Sequence, residues 1–127
     1  MKVILTSEES ENIFLNALCN GHGLSYAGLS IDFNEEEYEI AKKHLQDTNQ
    51  SCCLEDVWMQ VLRNGGTLSL IDNESGEEPS TITLQDVHAK VQDSPINHLM
   101  DAINETDDGT TAEVILQSVF YGEVIFG

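Results

Sequence analysis

Apolar residues in this chain recur at two spacings, and the switches between them outline the fold. Leu54, Val57, Trp58, Val61 and Leu62 follow i, i+3, i+4, i+7, i+8 without a gap, which places them on one face of a helix. Leu29, Ile31 and Phe33 alternate with Ser30 and Asp32, the period of a half-buried strand. The same rules predict strands at residues 2–5, 29–33, 67–71 and 80–84, the last two forming a hairpin across an acidic tip at 72–78. Five further helices are predicted. The first follows Thr6 with Ile13, Phe14, Ala17 and Leu18 on one face, and the second covers 35–46 with a thin stripe of Tyr38, Ala41 and Leu45, as suits a surface helix. The third carries Val87 and Val91, the fourth Ile96, Leu99, Met100 and Ile103, and the last Val114, Ile115, Leu116, Val119 and Phe120.

Capping chemistry supports these boundaries. Thr6 with Glu9, Thr83 with Asp86 and Thr110 with Glu113 have the capping-box spacing, in which a hydroxyl accepts an orphan backbone N–H and a carboxylate reaches back. Asn34 and Ser51 are the expected caps of the helices that follow them, and Pro95 the first residue of another, since proline has no N–H to leave unpaired. Gly21, Gly65, Gly66 and Gly122 stand where helices should stop, and Gly21 is expected to take the left-handed conformation of a C-cap. The apolar segment from Val114 to Phe126 is hydrophobic on most sides, which suits a central helix or an assembly interface, with Val124, Ile125 and Phe126 as a terminal strand or docked tail.

These elements predict an α+β fold: a small, mainly antiparallel sheet of about four short strands covered by five or six helices. A mostly helical fold with one β-hairpin is the alternative. At 127 residues the chain is expected to form one globular domain, with enough core to fold without disulfide or metal.

Charge changes the picture more than any motif. The chain has 23 Asp and Glu against 5 Lys and Arg, a net charge of −18. Direct nucleic-acid binding depends on neutralising phosphates with Lys and Arg, so it is not expected. Nor is a membrane role: no apolar run approaches the roughly 18 residues needed to span a bilayer, and anionic lipid would repel the surface. The apolar start at residues 1–5 is cut short by Thr6, Ser7, Glu8 and Glu9, so a cytoplasmic location is expected. Cys19, Cys52 and Cys53, an odd set with an adjacent pair, read as reduced thiols.

Motifs for catalysis or cofactors are weak. The glycines at 21, 23 and 28 follow a helix rather than open one, which argues against a phosphate cradle. Asn104, Thr106, Asp108 and Gly109 match the start of a calcium loop, but Ile115 stands where a bidentate Glu is required. Cys19, His22 and Cys53 lack zinc-site spacing. His22 is the histidine best placed for chemistry, while His88 and His98 read as helix-boundary residues and Trp58 as core. No cofactor, metal or catalytic residue is therefore assigned.

The acids supply the candidate site. Asp32, Glu35, Glu36, Glu37 and Glu39 form one group, Asp72, Glu74, Glu77 and Glu78 a second, and Asp101, Glu105, Asp107 and Asp108 a third. The functional expectation is a non-enzymatic protein–protein interaction or accessory module that selects a basic protein surface. Two alternatives stand beside it: a nucleic-acid mimic that inhibits a DNA- or RNA-binding protein, and a small enzyme with an unrecognised site. Homo-oligomerisation through Val114 to Phe126 is a further expectation. In general character the chain resembles small accessory proteins of bacteria and their mobile elements.

Overall fold

A computed structural model describes residues 4–21, 28–74, 78–104 and 109–122. Their elements run α1 (Ser7–Asn20), β1 (Leu29–Phe33), α2 (Glu35–Asp47), α3 (Leu54–Arg63), β2 (Leu68–Asp72), β3 (Ser80–Ile82), α4 (Leu84–Lys90), α5 (Ile96–Ile103) and α6 (Gly109–Tyr121). The fold is α+β, with an antiparallel sheet ordered β1-β2-β3.

Local chemistry sets most of the boundaries. Thr6 and Glu9 close the expected capping box, with Glu9 N–H to Thr6 Oγ1 at 3.1 Å and Thr6 N–H to Glu9 Oε1 at 2.9 Å. Asn34 Oδ1 accepts from Glu37 N–H at 3.0 Å, fixing the start of α2. Strand β3 stops at Ile82, two residues short of expectation, because Thr83 already serves the next helix, with its N–H on the Asp86 carboxylate at 2.8 Å. Gly65 ends α3 with φ +90, a left-handed backbone that glycine adopts without strain.

Several expectations need correction. The described part of the proposed strand at 2–5 lies outside the sheet: Ile4 is 82% exposed and Leu5 N–H donates to Gln92 Oε1. A side chain has taken the backbone group that a neighbouring strand would have paired. Lys2 and Val3 lie outside the described residues. Gly21 is not left-handed, having φ −84; it is small because α6 presses on it. Ser51 does not cap α3, since Cys53 holds that position without a side-chain hydrogen bond while Ser51 Oγ donates to Cys53 Sγ. Pro95 is the N-cap of α5 rather than its first residue, and α6 begins at Gly109, so Thr110 is already helical. Leu54, expected on the core face of α3, is 43% exposed at the first turn of the helix.

The buried side chains form one cluster, and α6 runs through it. From Thr111 to Phe120 every α6 residue except Glu113 is buried, and the helix packs on α1, α4, α5 and β3. Val114 to Phe120 is thus enclosed by its own chain, which leaves that stretch no outer face for assembly. Val124, Ile125 and Phe126 lie outside the described residues. Helix α1 docks on α6 through Phe14 and Phe120, ring centroids 6.1 Å apart, and Ser80 Oγ donates to the Phe120 carbonyl to tie β3 to the same helix. Helix α2 packs mainly on α3, as its thin stripe foretold.

One sheet face is apolar and the other polar. The paired positions Ile31 and Leu70, then Phe33, Leu68 and Ile82, share the inner face, while Ser30 with Ile71, and Asp32 with Ser69 and Thr81, share the outer one. Trp58 sits at the margin of the core, half-buried, tilted against Phe33 at 6.1 Å, and Phe33 stacks on Tyr38 at 4.9 Å.

Candidate interaction surface

The outer sheet face is organised by short polar contacts. Ser69 and Thr81 hydroxyls lie 2.8 Å apart, and Asn73 Nδ2 donates to Ser30 Oγ at 3.1 Å and to the Gly28 carbonyl at 3.0 Å. Asp32 projects from this face and is exposed. At one end of β1, Asn34 turns the chain into α2 and sets out Glu35, Glu36 and Glu39, all exposed. At the other end, Leu29 pairs with Asp72, and exposed Glu74 and Glu78 flank the hairpin tip. A strand of five residues separates the two ends by roughly 13 Å.

Among the described residues, acids of the first two groups stand at the two ends of β1. Asp101, exposed on α5, belongs to the helical side, where α5 packs on α6. Glu37 is half-buried against Gly66, where an added Cβ would stand 2.9 Å from Glu37 Oε2. Asp72 Oδ1 accepts from Glu74 N–H at 3.0 Å and so helps shape the turn. Glu77, Glu105, Asp107 and Asp108 lie outside the described residues, as does His22.

An ionic junction joins α1, α3 and α4. Glu11 of α1 receives Arg63 Nε of α3 at 2.8 Å and faces His88 Nε2 of α4 at 2.9 Å. Partial burial would by itself raise the Glu11 carboxyl, but the hydrogen bonds and charges of Arg63 and His88 outweigh it and hold the group below its ordinary 4.5. A lowered folded-state value means that protonation favours the unfolded chain, so this stabilisation is complete above about pH 4.5 and is lost as pH falls through the folded value. Glu11→Gln is expected to reduce stability at pH 7 by about 1 kcal/mol and to flatten the acid limb of the stability curve. Thermal melts from pH 3 to 7 check this; an unchanged acid limb would show that the junction is ornamental.

The described thiols and histidines serve local contacts. Partial burial, then the Glu55 and Asp56 carboxylates and the Cys53 thiol, push Cys19 above its ordinary value of 9.0, which keeps it protonated and unreactive. His98 Nδ1 lies 3.1 Å from Thr111 Oγ1; like His88, it ties a helix flank to a neighbour. Among the described residues no three His, Cys, Asp or Glu side chains converge as metal ligands, and no helix is long and apolar enough to cross a membrane.

Fold and surface together define a small, strongly acidic α+β protein. Comparison with known proteins finds no matching family, no matching curated sequence and no matching solved structure.

Proposed function

We propose that the protein is a non-enzymatic interaction module whose acidic surface selects a basic partner protein. One observation carries this reading: Asp32, Glu35, Glu36 and Glu39 stand exposed beside the sheet, and none forms an ion pair among the described residues. Of the five basic residues, Arg63 and Lys90 are held by Glu11 and Asp86. Lys42 and Lys43 follow on α2 itself without an ion pair to these acids among the described residues, so Glu35, Glu36, Glu37 and Glu39 outnumber the cations of their own helix by four to two. Such a field repels itself and accelerates encounter with a cationic surface, over a reach of about 10 Å in moderate salt.

The test is capture of partners from the native cell by the purified protein and by a Glu35→Gln, Glu36→Gln, Glu39→Gln variant. At about 50 mM salt, where the Debye length is still above 10 Å, basic proteins are expected on the wild type. Recovery should fall at least tenfold in the variant, and similarly at about 300 mM salt. Recovery indifferent to both changes would overturn the reading. If duplex DNA competed for the captured partner, mimicry of nucleic acid would replace simple charge selection.

A further inference from the structure

We propose that the outer edge of β1 and the groove beside it bind an extended segment of a partner protein, with one apolar side chain in the groove and Lys or Arg on either side. This deepens the preceding reading and rests on it for the partner's charge. Strand β1 lies at the end of the sheet order and pairs with β2 alone, so half of its backbone N–H and C=O groups point away from the sheet with no strand to meet them among the described residues. An edge of this kind accepts an added strand.

The groove gives such a strand an anchor. About 240 Å³ in volume, it is walled by Leu18 of α1, Leu29 and Ile31 of β1, Leu54 and Trp58 of α3, and Leu116 of α6. A cavity of roughly 150 Å³ holds a benzene ring, so this space takes one or two side chains and not a cofactor. Leu54, 43% exposed, leaves the rim apolar. Trp58 Nε1 in the wall is shielded from solvent yet has no acceptor among the described residues, whereas shielded polar groups nearly always find one. Glu55 is the charged residue of the lining, and Asp32 stands exposed further along β1. A second copy of the chain, with net charge −18, would be repelled there. An apolar residue between cations fits.

The probe is a fluorescent capped peptide, Lys-Lys-Thr-Val-Thr-Leu-Thr-Lys-Lys, compared with a version carrying Glu for Lys and a version N-methylated at alternate central amides. By fluorescence anisotropy, both altered peptides are expected to bind at least tenfold more weakly. Leu54→Ser should weaken the parent peptide at least fivefold without changing the circular dichroism of the protein. Amide NMR shifts should cluster at Leu29 to Phe33. If the methylated peptide and the Leu54→Ser protein bind as well as the parents, with shifts spread over Glu35, Glu36 and Glu39, the groove is refuted while charge selection stands. If the lysine peptide does not bind at low salt, the groove is refuted as well, and the capture experiment alone decides charge selection.

Discussion

Phe14→Ala is expected to lower the unfolding free energy by about 3–5 kcal/mol, roughly a third to a half of the ~10 kcal/mol typical for a chain of this size. Phe14 is fully buried and carries the contact between α1 and α6 through Phe120. A pair of rings in this arrangement is worth about 0.5–1.5 kcal/mol beyond the area it buries. The cavity left behind should persist, because α6 is also held by α4, α5 and β3 and cannot move to fill it. Partial collapse is what makes some truncations cheap. Urea unfolding should show a lower midpoint at unchanged slope, and a loss below about 1 kcal/mol would mean that this contact is not central.

Gly21→Ala is expected to lose about 1–3 kcal/mol, and the reason is space rather than backbone conformation. At φ −84 the backbone is not left-handed, but an added Cβ would stand 2.5 Å from Leu116 Cδ1 and 2.9 Å from the Ala17 carbonyl oxygen. The leucine tip can turn aside; the backbone oxygen cannot. Gly65→Ala is the contrasting case, with φ +90 and nothing within 4 Å of the new atom, so its loss of about 1–2 kcal/mol is backbone strain. Combining each with Leu116→Val separates the causes. The Gly21 pair should lose less than the sum of its parts, since the smaller side chain relieves the clash, while the Gly65 pair should be additive. Equal additivity in both would refute the close-approach account.

Much of the fold was legible because its signals are local. The α3 stripe, the Thr6 and Thr83 boxes and the alternation at 29–33 each involve residues within a turn or strand of one another, where propensity and capping act. The departures have identifiable causes. Ser51 has the right chemistry for a cap, but the helix starts two residues beyond its reach, after Cys53. Ile4 and Leu5 share a β-like composition, yet a strand exists only where a neighbour pairs with it, and Leu5 bonds to the Gln92 side chain instead. Of the candidate surface, the exposure of Asp32, Glu35, Glu36 and Glu39 followed from strand alternation and helix position. The inward lean of Glu37 on Gly66, and the separation of Asp101 from the sheet, did not.

From its own order of residues the chain dictates helix and strand periods, the caps that start them and an excess of anions that no arrangement could neutralise internally. Tertiary structure alone decided which strands lie at the ends of the sheet among the described residues, which carboxylate meets Arg63 and His88 and which glycine must yield to a neighbour. Arg63 and His88 lie 52 and 77 positions from Glu11, and Leu116 meets Gly21 from the far end of the chain. The physical reason is range: hydrogen-bonded turns and side-chain periodicity act over a few residues, whereas burial of apolar surface is indifferent to sequence separation and brings distant groups together.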